Sequence, residues 1–234
     1  MGVIVLVRHG QASFGADDYD RLSPLGEEQA RLLGGWARDC GFNLGQVALG
    51  TARRHRQSAE QCLTAYGAGP AAQDWIVDAG FDEFDHHEVM IRFRPDLAEP
   101  GALGHFLTQS DHPHRAFQQM FAAAVARWVG GAHDSDYRES WPAFRQRCRA
   151  GLDRLMTTVD PARDVWVFTS GGAITALLQT VLAIPDERIF ELNWTLVNTG
   201  VTQLRYRSGR VSLSTLNSQA HLERQRRPEL ITYR

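Results

Sequence analysis

The sequence predicts an α/β sandwich on a mainly parallel sheet. Three observations carry the prediction. Val3-Ile4-Val5-Leu6-Val7 is an unbroken, largely β-branched run without alternation, as a strand covered on both faces requires. Strand-like runs then alternate with helical stripes along most of the chain. A second strand–helix unit of the same kind closes the regular part, with Val165-Trp166-Val167-Phe168 followed by a glycine pair.

Each element has a local reason. After the first strand, Ser23 can cap a helix, Pro24 suits its first position, and Glu27 and Glu28 favour its positive end. Leu25, Leu32 and Trp36 are expected to line its buried face before Gly41. Val47-Ala48-Leu49 reads as a short strand, followed by a helix with Ala59, Cys62, Leu63 and Tyr66 on one face before Gly67. Trp75-Ile76-Val77 reads as a third strand. Residues 80–135 loosen into Pro, His, Asp and Gly clusters around one expected helix over 117–129, and read as an insertion whose Phe117, Phe121, Val125 and Trp128 form core. Regularity returns with the stripe Trp141, Phe144, Cys148, Leu152 and Leu155. A helix with Ile174, Leu177, Leu178 and Val181 on one face follows the late strand. Residues 201–206 and 211–215, joined across Ser208-Gly209, predict a final hairpin.

With 234 residues, the chain suits one domain, expected over 1–234 with the 80–135 insertion covering its site. Net charge is −2 and the pI is about 6.5, which gives no global reason to expect nucleic acid or an anionic membrane as partner. All 25 basic residues are Arg. The absence of Lys excludes a P-loop NTPase, a protein kinase and a pyridoxal-phosphate enzyme, each of which needs one. Cys40, Cys62 and Cys148 show no paired spacing and fit buried thiols in a reducing compartment. The first apolar run is cut short by Arg8-His9, so neither a signal peptide nor a membrane span is expected and a cytoplasmic location is.

Ligands of open parallel sheets bind beyond the carboxyl ends of the strands. The residues there are Arg8-His9-Gly10, then Thr51-Ala52-Arg53-Arg54-His55-Arg56, then Thr169-Ser170-Gly171-Gly172. Two ends present cations, and the third opens a helix whose free N–H groups and dipole favour an anion. A phosphate-sized pocket is expected where they converge, and a neutral His9 can attack phosphorus.

Leu6-Val7-Arg8-His9-Gly10 resembles the signature of the histidine phosphatase superfamily, in its phosphoglycerate-mutase-like branch. Leu22-Ser23-Pro24-Leu25-Gly26 is similar to that family's helix start, Arg54-His55-Arg56-Gln57-Ser58-Ala59 to its second arginine segment, and Phe81-Asp82-Glu83-Phe84 to the segment bearing its acidic residue. The resemblance implies a three-layer α/β/α sandwich with no cofactor. It also implies His9 as the phosphorylated nucleophile, Arg8 and Arg54 as phosphoryl ligands, and Glu83 as proton donor. Planar guanidinium forks suit the three equatorial oxygens of a transferring phosphoryl group. The spacing to Gln57-Ser58-Ala59 favours Arg54 over Arg53.

One departure matters most. Where the family carries its second His, this chain has Ser170, so the segment reads Thr169-Ser170-Gly171-Gly172. Loss comparable to one oxyanion-hole donor costs roughly 3 to 4 kcal/mol. We expect His55, where the family usually has Ala, to replace part of that imidazole. Gln11, Ala12 and Gly15 also depart from the family's usual Glu, Thr and Asn, leaving Gln11 and Ser13 as secondary phosphate ligands beside Ser170 and Gly171. The implied function is hydrolysis of a small phosphate monoester through phospho-His9. The competing readings are an impaired phosphate-binding pseudoenzyme and a phosphomutase. His86, His87, His112 and His114 show no standard metal spacing, so no metal is expected. Residues 224–227, rich in Arg, read as a solvated tail.

Overall fold

A computed structural model describes residues 2–13, 20–207 and 209–233. Gly15 and Ser208, singled out above, lie outside the described residues. Six strands form one sheet: β1 (Gly2–Arg8), β2 (Gln46–Leu49), β3 (Ile76–Val77), β4 (Val165–Thr169), β5 (Val201–Arg207) and β6 (Arg210–Ser218), in the order β3-β2-β4-β1-β5-β6. The first four are mutually parallel, and the expected hairpin β5–β6 adds to β1 antiparallel.

The unbroken apolar strands are explained by what covers them. From β1, β2 and β4, Val5, Val7, Val47, Leu49, Trp166 and Phe168 face α1 (Pro24–Asp39) and α2 (Arg53–Tyr66). The alternate residues Ile4, Leu6, Ala48, Val165 and Val167 enter the larger core on the opposite face. Three layers result, as expected. Ser23 caps α1 by accepting from Gly26 N, and α2 ends at Gly67 in the left-handed conformation.

The α1 face differs from the expectation. Ala30, Leu33 and Ala37 pack on the sheet, whereas Leu25 and Leu32 pack against Val197, Leu222, Leu230 and Ile231 from the far end of the sequence. The helix therefore has two apolar faces, and the predicted stripe is divided between them, since Trp36 packs on the sheet-side cluster. The arginines of residues 224–227 are solvated as expected, but the segment is held in place. Arg224 pairs with Asp39 at 3.3 Å, Arg227 with Glu229 at 2.7 Å, and residues 228–233 run back beneath α1 as a strap. Gln29 Nε2 holds the strap by donating to Leu230 O and Thr232 Oγ1, each at 2.8 Å.

The loosely patterned region is more helical than expected. It contains α3 (His86–Phe93), α4 (Ala102–Thr108) and α5 (Pro113–Val129), where a single helix over 117–129 was predicted. Asp85 caps α3 through Glu88 N, but α3 and α4 are too short to declare themselves by period. Val125 and Trp128 are buried as predicted, but Phe117 and Phe121 are only partly buried and line a chamber. Then follow α6 (Trp141–Thr158), whose predicted stripe is fully buried, α7 (Gly171–Leu182), α8 (Asp186–Asn193) and α9 (Ala220–Glu223). The last two were not predicted.

Adjacent parallel strands β1 and β4 send their following helices, α1 and α7, to opposite faces of the sheet. The crevice this opens beyond their carboxyl ends is where a ligand site is expected.

Candidate active site

His9 emerges at the end of β1 and is 5% exposed. Its Nδ1 lies 2.7 Å from Gly10 O. A carbonyl only accepts, so Nδ1 carries the hydrogen and Nε2 keeps its lone pair. Burial, then the positive charges of Arg54 and Arg8 and the neighbouring His55, hold the imidazole pKa well below its ordinary value. The ring is therefore neutral near pH 7.

Backbone contacts fix this position. Asn198 Nδ2 donates to His9 O at 3.0 Å, and Thr199 N donates to Arg8 O at 2.9 Å. Thr199 has φ 59°, a left-handed conformation that costs a β-branched residue on the order of 1 to 3 kcal/mol. Its Oγ1 bonds His221 Nε2 at 2.8 Å, which helps hold it there. At Gly10 an added Cβ would collide with Gly26 O, so β1 and α1 meet at a spacing only glycine permits.

The second arginine segment folds onto this turn. Ser58 Oγ accepts from Gly10 N at 3.0 Å, and Gln57 Oε1 accepts from Leu22 N at 2.9 Å. Arg54 Nη1 pairs with Asp20 Oδ1 at 2.7 Å, and its Nη2 reaches Ser170 Oγ at 3.4 Å. Arg53 is exposed, and its backbone N–H donates to Asp20. Arg8 donates through Nη1 to Leu196 O and through Nη2 to Tyr233 O, the latter at 2.9 Å. Asp20 and Tyr233 were missed by sequence reasoning. Tyr233 gives no local signal because its contact with Arg8 spans 225 positions.

His55 is completely buried, and its Nε2 shares a 2.7 Å hydrogen bond with Ser170 Oγ. Its ring centroid lies 5.7 Å from that of His9. Consecutive helix residues face different directions, yet Arg54 and His55 both reach Ser170, because the first turn of α2 points at the site and the long Arg side chain bends across. Burial and the Arg54 charge hold the His55 pKa well below its ordinary value.

Glu83 reaches the site from the loop before α3. Its Oε2 accepts from Gly172 N at 3.1 Å, on the first turn of α7. Its Oε1 would collide with a Cβ at position 172, so the glycine pair is needed for this approach as well as for the helix start. The loop is braced from below: Arg147 donates to Ala79 O at 2.6 Å and pairs with Glu139 at 2.7 Å, and Thr51 holds Asp82 through Oγ1 at 2.7 Å. Of the Gly171 and Gly172 pair, the Gly172 N–H is thus engaged by Glu83, and Gly171 borders Arg8. Gln11 and Ser13 turn elsewhere. Gln11 Oε1 accepts from Ser23 Oγ at 2.8 Å, and Ser13 Oγ donates to Leu22 O at 3.1 Å. Among the described residues, no group of three or more His, Cys, Asp or Glu is placed to hold a metal ion.

A chamber of about 560 Å³ shares Arg8, Glu83 and Gly171 with this cluster and extends beneath α3 to α5. No helix among the described residues is long and apolar enough to cross a membrane.

Among curated proteins, none matches this chain in sequence. Solved structures match over nearly its whole length. A phosphoglycerate mutase from Bacillus anthracis is 16% identical at a TM-score of 0.65, covering 97% of this chain and 98% of its own. A mycobacterial glucosyl-3-phosphoglycerate phosphatase is 20% identical at 0.61, covering 93% and 99%. A phosphoserine phosphatase from Entamoeba histolytica, solved with phosphoserine, is 16% identical at 0.61, covering 95% and 100%. The sequence pattern of the histidine phosphatase superfamily (branch 1) matches residues 4–127 and 86–219, and with the fold in agreement the chain belongs to that superfamily.

Proposed function

We propose that the chain is a phosphomonoesterase that works through phospho-His9. The observation that carries this reading is the neutral His9, whose Nδ1–H is committed to Gly10 O and whose Nε2 lone pair sits within the field of Arg8 and Arg54. Nε2 attacks phosphorus, the bond from phosphorus to the ester oxygen breaks, and the departing oxygen takes a proton from Glu83. The Glu83 carboxylate then takes a proton from water, whose oxygen attacks phosphorus and breaks the bond to Nε2. Arg8 and Arg54 offset the charge on the equatorial oxygens. For Arg54, phosphate must displace the Asp20 carboxylate. Ser170, with Gly171 beside it, completes the anion site, and His55 orients its hydroxyl, standing in for the imidazole that the family resemblance leads one to expect at position 170. Gln11 and Ser13 serve the site by holding Ser23 and Leu22 at the start of α1. The superfamily and the phosphatases of the same fold support this chemistry at the general level. Three free cysteines suit a reducing cytoplasm.

The test is hydrolysis of p-nitrophenyl phosphate by wild type and His9→Ala, with a rapid quench into base, where phosphohistidine survives. The expected outcome is acid-labile, base-stable phosphate on the wild type, with turnover at least about 10³-fold lower in the variant. Equal turnover in both proteins would sink the reading.

A further inference from the structure

The chamber next to the phosphate site indicates what kind of alcohol the substrate carries. This inference rests on the phosphatase reading for its chemistry, and on separate observations for its specificity. One end of the 560 Å³ chamber is formed by Arg8, Glu83 and Gly171, so a group esterified to the phosphate would project into it. Much of the rest is aromatic. Phe84 meets His86 edge to face at 4.3 Å, and His86 meets Phe121 the same way at 5.6 Å. Phe121 stacks parallel to Phe117 at 5.8 Å and meets Trp194 edge to face at 6.0 Å. Met90, Leu103 and Ala122 add aliphatic wall, and the uncharged polar side chains of Gln118 and Asn193 also border the chamber, as do His87 and Tyr233.

Charge is nearly absent from it. Beyond Arg8 and Glu83, no Arg, Asp or Glu lines the chamber among the described residues. Burial lowers the pKa of His86, which favours its neutral form. An alcohol bearing a carboxylate or an ammonium group would therefore lose water against aromatic faces and gain no opposite charge there. A sugar would find few partners for its hydroxyls, Gln118 and Asn193 among them, and would leave others facing carbon. A flat apolar group would bury its faces on rings already arranged edge to face and in parallel.

We infer that the substrate is a phosphate monoester of a bulky, uncharged, apolar alcohol with a flat face, its organic part seated between Phe84, Phe121 and Trp194. The chemistry stays that of the preceding section, so the products are inorganic phosphate and the free alcohol.

The experiment has a catalytic and a binding arm. kcat/KM is measured for 2-naphthyl phosphate, O-phosphoserine and 3-phosphoglycerate, with the wild type and with Phe121→Ala. Binding of the uncleavable 2-naphthylmethylphosphonate is compared with that of methylphosphonate by calorimetry. The wild type is expected to prefer the naphthyl ester at least tenfold and to bind the naphthyl phosphonate at least tenfold tighter. Phe121→Ala is expected to shrink both ratios severalfold and leave methylphosphonate binding unchanged; Phe121 is only partly buried, so the fold tolerates its truncation. Cleavage of O-phosphoserine or 3-phosphoglycerate as efficient as that of the naphthyl ester overturns the inference and leaves the phosphatase reading standing. Equal binding of the two phosphonates also overturns it. No cleavage of any ester, with the naphthyl phosphonate still preferred, sinks the phosphatase reading and supports the chamber's specificity.

Discussion

The nine histidines divide the molecule into two regions. At the sheet end, His9, His55 and His221 are buried, and each is hydrogen-bonded to a neighbouring oxygen. In the helical cover, His87, His105, His112, His114 and His133 are all exposed, His87 at the chamber's edge, and His86 is partly buried in the chamber wall. The same side chain thus serves as fixed chemistry in one region and as solvated surface in the other. Reactive groups at the sheet end are held by backbone, through Gly10, Gly172 and the strained Thr199, whereas the cover shapes its chamber with side chains alone. Changes at the first should therefore destroy turnover, and changes at the second should redirect it.

After the loss of His9 itself, the largest effect should come from Arg54→Met, which removes one guanidinium fork and leaves Asp20 at the phosphate position. Turnover of an aryl phosphate is expected to fall about 10²- to 10³-fold by steady-state assay. His55→Ala should lower kcat less, about 10- to 100-fold, with little change in KM, since His55 acts through Ser170. Ser170→Ala should match it, and the double variant should be no worse than either alone. Additive losses would show that the two do not act together.

Acid should separate the regions by stability. The three buried imidazoles are held below their ordinary pKa by burial, His221 at about 3. The unfolded chain therefore takes up protons first as pH falls below about 6.5, and the stabilisation present above that value is lost toward the folded-state pKa. Each histidine contributes a slope of about 1.4 kcal/mol per pH unit there. Urea unfolding at pH 7.5 and 5.5 should show the difference, and His221→Gln should flatten it; the same change at His112, which is exposed, should not. The smallest effect is expected from Phe117→Ala in the cover: turnover of a small phosphate ester within about twofold of wild type.

The sheet end was legible because its chemistry sits in short contiguous segments. Arg8-His9-Gly10, the segment from Arg54, and Thr169-Ser170-Gly171-Gly172 each follow a strand whose burial on both faces leaves a plain signal. The proximity of His55 to Ser170 could only be guessed, because it depends on where the first turn of α2 points. Asp20, Asn198, Thr199 and Tyr233 were invisible, since each acts through contacts far away in sequence and nothing in its own neighbourhood predicts them. The cover was the least legible. Its helices α3 and α4 have 8 and 7 residues, too few for a period, and the difference between core and chamber wall at Phe121 is one of a few ångströms.

The strap has a consequence for how the protein matures. Arg8 leaves the ribosome well before its partners Leu196 and Tyr233, which lie 188 and 225 positions later. β1 also waits for β4 and β5 before it has any neighbour in the sheet. A nascent chain stalled at residue 225 would hold His9, Arg8, Arg54, Glu83 and Leu196, yet would lack Tyr233 O, one of the two carbonyls that steady the Arg8 guanidinium. Contacts of such long range close slowly. Phosphate affinity should therefore arise late, after most of the sheet has formed and the strap has slid beneath α1.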